Sequence, residues 1–107
     1  MRPFDIFIAY VFWEGGGKHR PVLIIGELEA VVFAFNITTQ YESKSEAVRA
    51  KYFVINDWQK AGLDRTSYVD TNTIIDIPAT IFAGKTEIGR LTVADEQRLI
   101  EFINRTH

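Results

Sequence analysis

At 107 residues and 12.3 kDa, with a formal net charge of -2 and a pI near 5.6, the chain has room for one core and no global attraction to nucleic acid. An apolar fraction of 47% beside 24% charged residues belongs to a folding, globular sequence, so residues 1–107 are expected to make a single domain. The lack of cysteine excludes disulfides and thiolate metal ligands, and two histidines are too few for a zinc site, so neither metal nor cofactor is expected.

The N-terminus carries Asp5 and no small-residue cleavage site, and no apolar run approaches the roughly 20 residues of a bilayer span, which leads us to expect a cytoplasmic protein with no membrane partner. FDIFIAYVFW (4–13), rich in aromatic and β-branched residues, predicts the first strand. Gly15, Gly16 and Gly17 then predict a mobile loop, because glycine holds strand conformation poorly. A second strand is expected from Pro21 to Gly26, with Pro21 at its first residue. After a turn around Glu27–Glu29, AVVFAFNITT (30–39) supplies a third strand and completes a meander.

Residues 40–49 are polar and lack sustained periodicity, which predicts an exposed loop, and KYFVI (51–55) resumes the sheet. Asn56 or Asp57 can cap a short helical turn over Trp58–Ala61, ended by Gly62. SYVDTNTIIDIP (67–78) contains two strand-like pieces around Thr71–Thr73, closed by Pro78. Near the end, Thr92 and Asp95 resemble a capping box, and Leu99, Ile100, Phe102 and Ile103 form a stripe at helical spacing. The expected architecture is mainly β: short strands curled into a small barrel, one short helical turn and a C-terminal helix.

EGGGKHRPVLII (14–25) concentrates the chemistry. Arg20 at a strand root can aim a guanidinium fork at phosphate, or simply pair with a carboxylate at a solvated hairpin. His19 titrates near neutrality and can serve as an acid or base, or lie idle at the surface. Thr38, Thr39 and Gln40 offer hydroxyl and amide groups to phosphate or bases, although threonine is also an ordinary strand residue. The glycine run lacks the spacing of a nucleotide-binding phosphate loop and precedes a strand, not a helix.

Five segments occur in one order: an opening strand with Asp5 and Ile6, KHRPVLII (18–25), NITTQ (36–40), AGLDRTSYV (61–69) and IGRLTVADEQRLIEFI (88–103). In this they resemble the MazF/PemK family of type II toxin-antitoxin toxins, over nearly the whole chain. Two positions depart from the family pattern: Phe4 stands where glycine is usual, and Asn36 where proline often precedes the threonine pair.

The resemblance implies an SH3-like small barrel and a metal-independent, sequence-specific endoribonuclease acting on single-stranded RNA as a homodimer. It places Arg20 and Thr38 at the catalytic positions. Lys18, His19, Thr39 and Gln40 are expected at flanking phosphates and bases, with the loop carrying Ser43 and Lys44 also reading unstacked bases. It further implies a small antitoxin whose acidic, disordered tail competes for the RNA groove. The alternative is a CcdB-like toxin that binds DNA gyrase through its C-terminal helix around Glu101–His107, or a barrel that retains only an interaction role.

Overall fold

The first hairpin accounts for the three glycines. In the computed structural model, which describes Met1–His107, β1 spans Asp5–Trp13 and β2 runs from Gly16 to Leu28, so two of the glycines lie inside a strand. Only Gly15 adopts positive φ, at 88°, closing a two-residue turn between the paired residues Trp13 and Gly16. Gly17 is needed for space instead, since a Cβ there would lie 2.6 Å from the ring of Tyr10. The expected mobile loop is thus replaced by a tight hairpin, and β2 starts five residues earlier than the sequence suggested.

β3 (Val31–Thr38) follows a two-residue turn in which Glu29 takes φ of 56°. The polar stretch expected to be a loop holds one turn of helix, α1 (Glu46–Arg49), because Ser45 Oγ accepts the Val48 N–H at 3.3 Å. β4 (Tyr52–Val54) is short, and the segment after it makes the predicted helical turn, with the Ala61 N–H bonding the Asp57 carbonyl. β5 (Tyr68–Pro78) is one strand where two pieces were expected, although its pairing with β3 is broken between Ile75 and Asp70. A single 3-10 turn (Ala79–Phe82), β6 (Gly89–Arg90) and α2 (Val93–Thr106) complete the chain; the 3-10 turn and β6 had no signal in the sequence.

The six antiparallel strands form a half-barrel in the order β4-β5-β3-β2-β1-β6, the mainly β, SH3-like architecture expected. Strand alternation divides its apolar residues between two cores. Ile6, Leu23, Ile37 and Val69 face α2 and surround Leu99. Phe7, Val22, Ala34 and Ile77 face the other way, around Phe82 of the 3-10 turn. Of the predicted α2 stripe, Leu99 is buried and Phe102 and Ile103 pack on the first core, whereas Ile100 remains 48% exposed.

Phe4, where glycine was expected, has φ of 73° and so occupies a conformation that glycine takes freely. Its N–H bonds the Ile24 carbonyl at 2.7 Å and its carbonyl accepts the Leu91 N–H at 3.1 Å. Those bonds, and packing of its ring on the first core, hold the strained residue in place.

The start of α2 is fixed by polar contacts. Thr92 Oγ1 accepts the Asp95 N–H at 3.2 Å, the cap predicted from sequence, and donates to Asp57 Oδ2 at 3.1 Å. The buried carboxylate of Asp95 accepts the Asp57 N–H at 2.8 Å and Arg98 Nη1 at 2.6 Å. Asp95→Ala leaves the Asp57 N–H without its acceptor, and we expect a loss of about 2 kcal/mol, read as a lower urea midpoint at constant m-value. A midpoint equal to wild type would show that water replaces the carboxylate at no cost.

Candidate phosphate site at the ends of β2 and β3

β2 and β3 pair with Val22 opposite Asn36. Continued by two residues along each strand, that register brings Arg20 alongside Thr38, and both line one cavity of about 210 Å³. Lys18, His19, Thr39 and Gln40 line it too, together with Ser67 from the segment leading into β5, which sequence reasoning missed. The only ionisable groups on this lining are two cations and a histidine, so the local charge opposes the acidic balance of the whole chain.

Arg20 is half-buried, and Nη2 donates to the Ile37 carbonyl at 3.3 Å. Its buried Nε has no partner. An unpaired donor of this kind is destabilising unless an acceptor meets it. The Thr38 hydroxyl accepts the Gln40 N–H at 3.0 Å, which turns the chain out of β3 and leaves the hydroxyl proton free to donate. Each strand thus carries one donor that no acceptor in the chain meets: the Thr38 hydroxyl and the enclosed Nε–H of Arg20.

Behind Arg20 the ladder continues from Asn36 to Asp70 on β5 and from Asp70 to Tyr52 on β4. Burial pushes the Arg20 guanidinium below its ordinary pKa, while the charges of Asp70 and Tyr52 oppose that shift. Burial, followed by the negative charge of Asp70, raises the Tyr52 phenol, and Arg20 opposes it. The folded chain therefore keeps a proton that the unfolded chain releases above about pH 10. Stability should fall as pH rises from there through the folded value. Tyr52→Phe should flatten that alkaline loss in denaturation curves collected from pH 9 to 11; an unchanged slope would place its origin elsewhere.

The remaining expected residues lie at different distances from this pair. Lys18 is exposed at the rim. His19 also reaches the rim, but its ring meets Tyr10 edge-on with centroids 5.0 Å apart, and strand alternation turns it to the face opposite Arg20. Ser43 lines a neighbouring cavity of about 370 Å³ that shares Thr39 and Gln40 with the first. Lys44 lines neither, so it is not brought to the site. Asp70 and Tyr52 gave no sequence signal, since only the register of β5 against its neighbours brings them behind Arg20. A larger cavity of about 500 Å³ beside Thr71–Ile74 and His107 contains no lysine or arginine.

The molecule is thus a six-stranded SH3-like half-barrel with a cationic, hydrogen-bond-donating cavity where the pairing of its two central strands stops. The fold is that of the MazF toxins. It superposes on the Mycobacterium tuberculosis toxin MazF-mt6 with a TM-score of 0.70 at 25% identity, covering 95% of this chain and 94% of that one. A second solved structure, described as an Mtb toxin, gives a TM-score of 0.66 at 23% identity over 96% of this chain and 99% of its own. No family model matches the sequence, and no curated protein matches it. No helix is long and apolar enough to cross a membrane.

Proposed function

We propose that the protein is the toxin of a type II toxin-antitoxin pair and acts as a metal-independent endoribonuclease on single-stranded RNA. The observation that carries this reading is the pairing of Arg20, with its unmatched buried Nε–H, and the Thr38 hydroxyl at one cavity. Likeness to MazF-mt6, itself named a toxin, supports the class.

In the proposed reaction a ribose 2'-oxygen forms a bond to the adjacent phosphorus as the phosphorus–O5' bond breaks. The products are a 2',3'-cyclic phosphate and a 5'-hydroxyl; the 2'-hydroxyl proton passes to a base and the leaving oxygen gains one. The nucleophile is tethered beside its target, which lowers the entropic cost of attack. Arg20 and Thr38 donate to the nonbridging oxygens, whose charge grows in the transition state. Lys18 steers the strand toward the cavity, with His19, Thr39 and Gln40 at its flanks. Proton transfer is not assigned to Arg20, because even a lowered guanidinium pKa favours the charged form at neutral pH.

A homodimer and an antitoxin with an acidic, disordered tail follow from the same reading, since carboxylates can occupy a cavity built for phosphate. The decisive experiment incubates the purified protein with a long RNA in excess EDTA and maps the new ends. Discrete cuts bearing cyclic phosphates support the proposal. Intact RNA would overturn it, and inhibited DNA supercoiling would favour gyrase binding.

A further inference from the structure

Three buried side-chain atoms have no hydrogen-bond partner: Nε of Arg20, Oδ1 of Asn36 and Nε of Arg90. Arg90 Nε lies 3.7 Å from Asp5 Oδ1, so a carboxylate answers its charge. The other two remain, and they are chemically complementary, a charged donor and a neutral acceptor. Folded proteins seldom leave two such groups unmatched, because each has given up its water without a replacement.

The register brings them together. Val22 opposes Asn36, so Asn36 shares a face of the sheet with Val22 and, one alternation further along β2, with Arg20. The Arg20 side chain also reaches across β3, since Nη2 donates to the carbonyl of Ile37, the neighbour of Asn36. In a guanidinium, Nε–H and one hydrogen of Nη2 point the same way along one edge of a rigid plane. With Nη2 on Ile37, that edge faces β3, and Nε–H is turned toward the strand that carries Asn36. Asp70 stands opposite Asn36 on β5, but its Oδ1 already accepts the N–H and Nδ2 of Asn72, both at 2.9 Å.

We propose that Asn36 is a positioning residue for Arg20: when a phosphate engages the outer edge of the guanidinium, Asn36 Oδ1 accepts Nε–H and, with the Ile37 carbonyl, clamps the inner edge to β3. Nη1 and the second hydrogen of Nη2 then form the fork presented to the phosphate. Hydrogen bonds of this kind commonly close only in the complex. Enclosed from water, the bond has no solvent competitor. The proposal rests on the ribonuclease reading for its effect on cleavage, but not for the pairing itself. Proline, which the resemblance leads one to expect at this position, has no side-chain acceptor, so the clamp belongs to this chain.

The test follows the Arg20 Nε–H by proton–nitrogen NMR of arginine-labelled protein in saturating inorganic phosphate, beside cleavage kinetics on a long RNA. The signal is assigned by its disappearance in Arg20→Lys. In the wild type it should exchange with solvent far more slowly than the Nε–H of exposed Arg65. Asn36→Leu, close in shape but without an acceptor, should exchange about 10- to 100-fold faster than wild type, the factor that a hydrogen bond to a charged group is worth. Asn36→Asp should keep the protection. In cleavage, Asn36→Leu should lower kcat by about 10- to 100-fold with KM held within a few-fold, because a loosened fork stabilises less of the developing charge. Combined with Arg20→Ala, it should slow the reaction no further than Arg20→Ala alone.

A wild-type Nε–H that exchanges as fast as that of Arg65 overturns the clamp without requiring any variant to fold. Equal protection in wild type and Asn36→Leu overturns it too, as does loss of protection in Asn36→Asp. A double variant slower than Arg20→Ala by the full Asn36→Leu factor shows Asn36 acting apart from Arg20; this removes the positioning role and leaves the ribonuclease reading intact. Protection that depends on Asn36, in a wild type that leaves RNA uncut, sustains the clamp and removes the ribonuclease reading.

Discussion

Arg20→Ala should lower RNA cleavage by about 10²- to 10³-fold, the usual effect of removing one preorganised donor from a developing oxyanion. The loss should appear in kcat, since charge on the nonbridging oxygens increases between ground and transition state. Arg20→Lys should recover only part of the rate, because an ammonium keeps the charge but not the planar fork. A urea midpoint measured beside the rate separates lost chemistry from lost folding, because Arg20 also donates to the Ile37 carbonyl. An active Arg20→Ala protein would exclude the proposed chemistry, whereas an inactive one that remains folded would support it.

The second large effect concerns stability. Gly62, at φ of 91°, and Gly89 of β6 bring two stretches of backbone into contact with no side chain between them. A Cβ at Gly89 would sit 2.0 Å from the Ala61 carbonyl oxygen, and one at Gly62 would sit 2.2 Å from that of Ile88. Main chain cannot swing aside as a side chain can, so relief would require β6 to leave its pairing with Asp5 and Ile6. We expect Gly89→Ala to cost at least about 3 kcal/mol, beyond the usual range for overpacking. In a domain of this size that is a fall of roughly 12 °C or more in melting temperature. Adding Gly62→Ala should cost less than its separate effect, since both relieve the same contact. A melting temperature within about two degrees of wild type would show that the two segments do not touch in solution.

The sequence marked Arg20 and Thr38, which line one cavity, better than it marked their surroundings. Arg20 and Thr38 were visible because short stretches, HRPV and NITT, put them on adjacent strands of a meander, although Arg20 lies inside β2 and only Thr38 ends its strand. Asp70 and Tyr52 were invisible because their nearness to Arg20 depends on β5 and β4, whose register no local pattern reports. Ser67 escaped for the same reason. The glycine run was misread because the space it leaves is occupied by Tyr10, a residue that composition does not connect with it. β6 is two residues long, too short for any periodicity. The capped helix α2, by contrast, was legible almost to the residue, since its cap and stripe are local.

Residues 3–6 and 89–99 are clasped together across most of the sequence. Arg90 Nη2 donates to the Pro3 carbonyl, β6 pairs with the first residues of β1, and Leu99 fills the core around Ile6. A nascent chain therefore lacks part of its interior until the α2 segment has left the ribosome, however early its hairpins form. Folding to completion is therefore coupled to the emergence of residues 93–106, which hold the far side of the first core.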